Sequence, residues 1–286
     1  MDEQKLVLVL NGPLREKAEK SIACMYGVGL EKSDGLLEWI ETRGTGLFLK
    51  ISERIFLITC RHILDLKDED GRENVAFGIG QKHTPVKILM DQLDLTHTNP
   101  QDDVAVFELN DQQISLLNRN AALKPLVLEN IQPFYFENGI DRVSVVGFPI
   151  ALARTDLRKK EIFSQAMIFS SYITYRKPSS LTLYDFSKHL LIEFDPEHHF
   201  DLHDNLISEL PPFGFSGAPV WAVRANKKQS DIWTPDDLKI IGIATTWLDA
   251  DKEVRITRIS VLLKLMAEKW PELEDVFSKE FEAWQP

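Results

Sequence analysis

Residues 44–64 of this chain read GTGLFLKISERIFLITCRHIL. Two short runs within them, LFLKI and RIFLIT, are rich in β-branched and aromatic side chains, and Ser52 and Glu53 separate them. Two such runs with two residues between them are typical of a tight β-hairpin. The second run leads directly to His62, so we expect a histidine at the end of a buried strand.

Similar short strand patterns recur along much of the chain. They occur at residues 75–79, 86–90, 104–109, 143–148, 165–170, 190–194, 218–222 and 239–246. Short strands at close spacing favour barrels or sandwiches over alternating strand–helix units. We therefore predict an all-β protein with two β halves. The break between them is expected between Asn110 and Asp141, where Asn, Gln and Pro cluster.

Helical spacing is found at both ends of the chain. Leu14, Ala18 and Ile22 predict one short helix over residues 14–23. Two C-terminal helices are predicted on either side of Pro271, which stops one helix and suits the first turn of the next. Their apolar faces contain Ile259, Leu262, Leu263, Met266 and Trp270, and then Leu273, Phe277, Phe281 and Trp284. We expect both helices to pack on the β body, and the alternative is a docking surface for a partner.

Composition narrows the class of protein. The 286 residues include 33 Lys plus Arg and 44 Asp plus Glu, a net charge of −11. This acidity disfavours a nucleic acid or an anionic membrane as the main partner. Cys24 and Cys60 are too few for a disulfide scaffold or a four-cysteine zinc site. The first ten residues lack a signal-peptide pattern, and the longest near-apolar stretch, 143–153, is too short to span a bilayer, so a cytoplasmic location is expected.

Three positions supply the residue types that serine hydrolysis requires. His62 follows an apolar strand, Asp103 opens another (DDVAVF), and Ser216 lies between glycines in FGFSGAPV. A serine hydroxyl is a weak nucleophile until an imidazole takes its proton, and an acid must orient that imidazole. Gly214 and Gly217 would let the backbone turn its N–H groups toward a developing oxyanion.

Each of these features is common by itself, and their order along the chain is more informative. An α/β-hydrolase has a G-x-S-x-G motif that precedes its acid and its histidine. Here Ala218 takes the place of the final glycine, and all seven histidines precede Ser216. The order His, Asp, Ser therefore excludes that class for this serine.

The same segments resemble the trypsin/chymotrypsin-like serine protease superfamily, especially its bacterial HtrA-like and stand-alone members. GTGLFL resembles the strand that opens the first barrel, LITCRHIL the histidine motif, DVAV the acid motif and GFSGAPV the serine motif. IGI at 241–243 resembles the strand that lines the substrate cleft. The matches run in order from about residue 44 to 245.

The resemblance implies two antiparallel six-stranded β-barrels with C-terminal helices, and an intracellular serine endopeptidase. The implied regions are 1–125 with His and Asp, 126–254 with Ser and the oxyanion loop, and 255–286 with the helices. His62 would be the general base and then the general acid, Asp103 would orient it, and Ser216 would attack the scissile carbonyl. The oxyanion hole would be the N–H groups of Gly214 and Ser216, and Asp102 is the alternative to Asp103.

Some residues depart from the pattern of the family. Phe215 stands where secreted members carry an acid that pairs with a newly cut N-terminus, so we expect no such switch and a buried Phe ring instead. Leu210 falls at the base of the primary pocket, which favours an apolar residue before the cut, with Thr245 and Trp247 as further pocket residues. Glu209, its neighbour, keeps a basic preference open.

Other interpretations of the sequence stay open. The histidines of residues 198–204 (HHFDLHD) could bind zinc, but their spacing fits no standard zinc motif, so a loop role is favoured and no metal or cofactor is expected. A metal hydrolase built on this segment is a minor alternative. The main alternative to an enzyme is a catalytically silent module of the same fold that binds a peptide or partner. The expected partners are a protein or peptide substrate and a regulatory protein.

Overall fold

The hairpin predicted around Ser52 and Glu53 is present in the structure, a computed structural model. Its two strands pair antiparallel over residues 47–51 and 54–58, and Ser52 adopts a φ of 53° in the turn. The structure describes residues 14, 18, 21–28, 40–64, 75–79, 82–83, 86–87, 101–121, 123–133, 142–159, 161–179, 184–195, 199–201, 205–207, 210–223 and 237–281.

The hairpin belongs to a curled antiparallel sheet in the first part of the chain. The strands there are β1 (Ile22–Val28), β2 (Ile40–Ile51), β3 (Arg54–Thr59), β4 (Val75–Gly78), β5 (Lys82–His83), β6 (Val86–Lys87) and β7 (Ala105–Glu108). The sheet order is β6-β4-β1-β2-β3-β7. This first half therefore presents the end of β3, with His62, beside the start of β7, with Asp103.

The second part of the chain forms a closed ring of strands. Its strands are β8 (Arg142–Gly147), β9 (Arg154–Asp156), β10 (Glu161–Phe163), β11 (Met167–Thr174), β12 (His189–Glu193), β13 (His199–Asp201), β14 (Leu206–Ile207), β15 (Pro219–Val223), β16 (Leu238–Leu248) and β17 (Glu253–Arg258). The order is β12-β17-β16-β15-β8-β11, and β12 also pairs with β11, which closes a six-stranded antiparallel barrel. Strands β13 and β14 extend the sheet from β11, and β5 joins β10 and β9 in a small separate sheet.

Besides the helical residues Leu14 and Ala18, the described chain contains α1 (Asp111–Ala121), α2 (Ile259–Lys269) and α3 (Glu272–Glu280). The predicted C-terminal helices are confirmed, and both bury their apolar faces in a core cluster that also contains residues of β2, β3 and β16. Trp270, between them, lies against Phe56 of β3 with ring centroids 4.9 Å apart. The expected packing on the β body is thus observed, while Trp284 lies outside the described residues. None of the described helices is long and apolar enough to cross a membrane.

The predicted fold class is confirmed: the protein is mainly β, with two antiparallel halves and C-terminal helices. The prediction of one helix over residues 14–23 was wrong for its last residues, 22 and 23. Leu14 and Ala18 are helical and buried, but Ile22 and Ala23 begin β1, where they pair with Leu47 and Gly46 of β2. Pairing with a neighbouring strand outweighs the local helical period there.

Helix α1 was not predicted, although the sequence contains its signal. Asn110 Oδ1 accepts a hydrogen bond from Gln113 N at 2.9 Å, and Gln113 Oε1 accepts one from Asn110 N at 3.1 Å. This reciprocal pair is a capping box, which satisfies two backbone N–H groups at a helix start. The helix lies in the segment where the break between the halves was placed, and the predicted boundaries at residues 125 and 254 stay predictions.

Candidate active site

His62 is held by the carboxylate of Asp103 through two hydrogen bonds. Its Nδ1 lies 2.7 Å from Asp103 Oδ2, and its backbone N–H donates to Asp103 Oδ1 at 3.0 Å. A carboxylate can only accept, so the ring contact requires the proton on Nδ1. The lone pair of Nε2 is then available as a base. The ring is about half exposed, with 48% of the side-chain surface accessible, while the Asp103 side chain is 14% accessible.

Asp103 occupies a backbone conformation that non-glycine residues adopt rarely, with a φ of 51°. The carbonyls around it are all held. Arg61 N donates to the Asp103 carbonyl at 3.3 Å, Thr257 Oγ1 to that of Asp102 at 2.7 Å, and Arg255 Nη1 to that of Gln101 at 3.1 Å. Strained residues persist where surrounding contacts over-determine them, commonly at functional sites. Two of these donors come from β17, so the second half secures the acid that the first half supplies.

Asp102 does not take the place of Asp103. It is 5% exposed, and its carboxylate accepts hydrogen bonds from Lys188 Nζ at 3.1 and 3.3 Å. His189 Nε2 lies 3.6 Å from Asp102 Oδ1. Of the two adjacent acids, Asp103 thus binds His62, whereas Asp102 binds Lys188 of the second half.

Arg255 provides a buried positive charge behind the two acids. Its residue surface is 6% exposed, and its Nε donates to Thr245 Oγ1 at 3.1 Å. Burial lowers the pKa of Arg255 below its usual value, and Asp103, Cys60 and Asp102 act in the opposite direction. A guanidinium stays charged in proteins, so this side chain offsets part of the negative charge behind His62.

Ser216 lies on a loop whose two glycines are required by the backbone. Gly214 and Gly217 have φ values of 101° and 82°. A Cβ on Gly214 would collide with the Phe148 carbonyl, and one on Gly217 with the Thr45 carbonyl. Only glycine adopts such angles in such confined space without strain. The backbone geometry of the GFSG segment therefore requires glycine at positions 214 and 217, and the chain turns at Ser216 and Gly217.

The loop is held from both sides. Phe215 is 1% exposed and meets the Phe169 ring edge-on, with centroids 5.1 Å apart and planes at 89°. Thr45 Oγ1 donates to the Gly214 carbonyl and accepts from Phe148 N, both at 2.9 Å. The expected burial of the Phe ring is therefore observed, and Thr45 of β2 supplies a contact that the sequence did not reveal.

His62 and Ser216 line the same cleft, which has a volume of about 130 Å³. The Ser216 hydroxyl lies 3.5 Å from the Thr245 carbonyl, a long contact, and no hydrogen bond joins it to His62 among the described residues. Catalytic hydrogen bonds are often loose before substrate binds and tighten afterwards. The cleft therefore brings together the base and the nucleophile that the motif predicts.

The predicted pocket residues fall into two groups. Thr245 and Trp247 line the cleft, together with Arg43, Ile150, Phe213 and Val254, which sequence reasoning did not select. Leu210 is buried in the core cluster of the second half and is not among the cleft-lining residues of the described chain. Trp247 packs against Phe194, with ring centroids 5.2 Å apart. Glu209 lies outside the described residues.

One group of side chains has the composition of a metal site. Donor atoms of Cys60, His62 and Asp103 lie within 4.8 Å of one another. The Cys60 thiol donates to the Ala244 carbonyl at 3.2 Å, and burial raises its pKa well above the usual value. Zinc needs the thiolate, and His62 and Asp103 already bind each other, so these residues fit the triad better than a metal. Of the histidine-rich segment, His198 and His203 lie outside the described residues, and only the backbone of His199, in β13, is described.

The chain matches no protein-family model, and a search of curated proteins finds no significant relative. Among solved structures, the backbone is similar to the serine protease domain of the Sesbania mosaic virus polyprotein, with 14% identity, a TM-score of 0.41, and coverage of 85% of this chain and 90% of that one. It is also similar to a product complex of the tobacco etch virus protease, with 13% identity, a TM-score of 0.42, and coverage of 85% of this chain and 75% of that one. For Vibrio cholerae VesB protease the identity is 12%, the TM-score is 0.48, and the match covers 88% of this chain and 64% of that one. Likeness at this level is confined to the backbone, and the function has to be argued from the site.

Proposed function

We propose that this protein is a serine endopeptidase that hydrolyses peptide bonds of protein or peptide substrates through an acyl-enzyme. One observation supports this more than any other. His62 is fixed by both oxygens of Asp103, and its ring opens on the cleft that Ser216 also lines. A base with a fixed tautomer beside a serine at a glycine turn is the arrangement that acyl transfer requires.

In the acylation step, Ser216 Oγ attacks the carbonyl carbon of the substrate while His62 Nε2 takes the hydroxyl proton. The Asp103 carboxylate stabilises the imidazolium that forms. The N–H groups of Gly214 and Ser216 would donate to the oxyanion of the tetrahedral intermediate. The C–N bond then breaks, and His62 passes its proton to the leaving amine. Water repeats the sequence on the ester, with His62 as base, and releases the acid product and free Ser216.

The proposal extends to a cytoplasmic enzyme of narrow specificity. Cys24 and Cys60 are both buried and unpaired, which suits a reducing compartment. A protease that shares a compartment with the proteins of its own cell needs restraint, so we expect regulation by a partner protein or by a cleft that opens only for selected substrates. Nothing in the composition favours nucleic acid or a membrane as a partner.

Covalent labelling with a fluorophosphonate probe tests the reaction class. Wild type should be labelled at Ser216, Ser216→Ala should not, and Asp103→Asn should react more slowly by several orders of magnitude, because it favours the wrong histidine tautomer. Asp102→Asn is the matched control for the neighbouring acid and should keep most of the labelling rate. Equal labelling of wild type and Ser216→Ala, or no labelling of either, would count against a serine hydrolase.

A silent module that binds peptides is the second candidate. The observation in its favour is that the Ser216 hydroxyl contacts the Thr245 carbonyl, at 3.5 Å, and not His62. Such a module would bind a peptide in the cleft without cleaving it. Mass spectrometry of a defined peptide library after incubation separates the candidates, because only an endopeptidase produces new termini that Ser216→Ala does not.

A further inference from the structure

Arg43 brings a positive charge to the edge of the cleft beside the nucleophile. It lies on β2, one residue before Gly44 and two before Thr45, whose N–H donates to the Ser216 carbonyl at 2.8 Å. At Gly44 the backbone is so close that a Cβ would collide with Ile63 and crowd the Ser216 carbonyl. This stretch of β2 is thus fixed against the serine, and Arg43 lines the cleft with it.

The guanidinium of Arg43 has hydrogen-bonding capacity that the protein leaves unused. Its Nη2 lies 2.7 Å from Glu41 Oε2 at the rim, where the Glu41 side chain is 51% exposed. Its Nε is buried and has no hydrogen-bond partner among the described residues. The Arg43 side chain as a whole keeps 33% of its surface accessible, and a carboxylate is the group that arginine binds best, through two parallel hydrogen bonds.

The rest of the cleft makes this charge distinctive. Among its described lining residues, Arg43 is the one with a permanent charge, and no acid is present. The lining residues that β16 and β17 contribute are apolar or neutral, among them Trp247, Val254 and Thr246. Although the whole chain has a net charge of −11, the residues that line the cleft thus include a cation and no acid.

The position of Arg43 also indicates which part of a substrate it would meet. In the proposed mechanism His62 gives a proton to the leaving amine, so the leaving group must lie on the side of the cleft that His62 occupies. His62 and Arg43 both belong to the first half, whereas the oxyanion loop and β16 belong to the second. We place Arg43, which shares the first half with His62 and lines the same cleft, beside the residues that follow the scissile bond.

We propose that Arg43 forms a carboxylate-binding subsite that selects substrates with Asp or Glu in the first two positions after the cut. The inference rests on the proposed function for the direction of the peptide, but the binding of a carboxylate does not depend on catalysis. Glu41 holds Nη2 of the empty subsite, and an incoming carboxylate replaces or joins it. Glu41 is thus an internal competitor of the substrate.

Two conservative variants with opposite expected effects test the subsite. A defined synthetic library of octapeptides is first captured on immobilised Ser216→Ala and on Ser216→Ala with Arg43→Gln. The best peptide and its Glu→Gln analogue are then compared by fluorescence anisotropy. One charge-assisted hydrogen-bond pair predicts about tenfold tighter binding of the Glu peptide to Ser216→Ala. Adding Arg43→Gln should bring this ratio close to one, and adding Glu41→Gln should raise it.

Arg119→Gln is the matched control, because it removes the same charge from the exposed face of α1. It should keep the preference for the Glu peptide. The subsite would be overturned if Ser216→Ala bound both peptides equally well, or if the preference for the Glu peptide survived Arg43→Gln. It would also be overturned if Arg119→Gln lost this preference to the same extent as Arg43→Gln. Fluorophosphonate labelling separates this proposal from the proposed function. Labelling at Ser216 without a preference for the Glu peptide would overturn the subsite but support the serine endopeptidase. A preference for the Glu peptide without labelling would support the subsite but count against the endopeptidase.

Discussion

The guanidinium of Arg255 donates a hydrogen bond of 3.1 Å to the carbonyl of Gln101, and this contact joins the two β halves directly behind Asp103, the proposed catalytic acid. The turn from Gln101 to Asp103 belongs to the first half, while Arg255 belongs to β17 of the second. The geometry of the proposed triad therefore depends on both halves, even though His62 and Asp103 come from one of them.

Arg255→Met should lower both stability and turnover. The variant removes the buried hydrogen bonds that the guanidinium donates to Thr245 and Gln101, and losing two charge-assisted bonds costs about 3 kcal/mol of unfolding free energy. We also expect kcat to fall more than KM rises, because Asp103 loses support for its left-handed backbone. Denaturant unfolding and steady-state kinetics measure the two effects. Arg258→Met, on the same strand and bonded to the Phe186 carbonyl, is the control. An Arg255→Met protein as stable and active as this control would contradict the prediction.

Thr45→Val should slow acylation without unfolding the protein. Valine has nearly the same shape but cannot donate to the Gly214 carbonyl or accept from Phe148 N. We expect a loss of about one order of magnitude in kcat, less than the ~10²–10³ that removing an oxyanion donor itself costs. The labelling rate with a fluorophosphonate probe measures it, and Thr45→Ser should restore most of the rate. If Thr45→Ser is as slow as Thr45→Val, the hydroxyl is not the cause.

Stability should fall between pH 6.5 and about pH 4 because of His189. Burial, followed by the charge of Arg255, lowers its pKa from 6.5 to about 4. Its Nδ1 accepts from Asp185 N at 3.3 Å, which also requires a neutral ring. In this window the unfolded chain binds a proton that the folded chain does not, so the unfolding free energy decreases as pH falls. At 1.36 kcal/mol per pKa unit the full effect is about 3 kcal/mol.

Denaturant titrations at pH 7, 6, 5 and 4 measure this dependence. Carboxylates also titrate near the acidic end, so the readout is the difference between wild type and His189→Gln. Wild type should lose more stability than the variant across the window, despite the favourable effect of Asp102 and Asp185 on a charged ring. Parallel pH curves for the two proteins would show that His189 is not the source.

Neither cysteine should react with iodoacetamide in the folded protein at pH 8. Burial raises the pKa of Cys24 to about 12 and that of Cys60 well above its usual value, so the reactive thiolate is scarce. Both thiols should react once the chain is unfolded in guanidinium, as intact-mass spectrometry would show. Rapid alkylation of native protein at Cys60, with loss of activity, would instead make that thiol a candidate nucleophile.

Much of the site could be predicted because its signals are local. A histidine after an apolar strand, an acid before another and a serine between two glycines are all visible in the linear sequence. The glycines are required by φ values of 101° and 82° at two positions of one turn, a requirement that lies within a few residues of chain. The hairpin and the C-terminal helices were predictable for the same reason, since their periodicity is contained within single segments.

Other features are decided by residues far apart in the sequence. Asp102 and Asp103 are adjacent and chemically identical, and the choice between them is made by Lys188 of the second half, which binds Asp102. Residues 22–23 fit a helical period, but Leu47 and Gly46 pair with them and make a strand. No local pattern marks Thr45 as a support of the serine loop or Arg43 as part of the cleft.

The sequence by itself determined the two-part β architecture and indicated the candidates His62, Asp103 or Asp102, and Ser216, because strand periodicity and glycine turns act over short distances. Only the tertiary structure decided which acid meets the histidine, how the serine loop is held and which charged residue lines the cleft. Those outcomes depend on contacts such as Arg255 with Gln101, 154 residues apart along the chain, which exist only once the two halves have packed together.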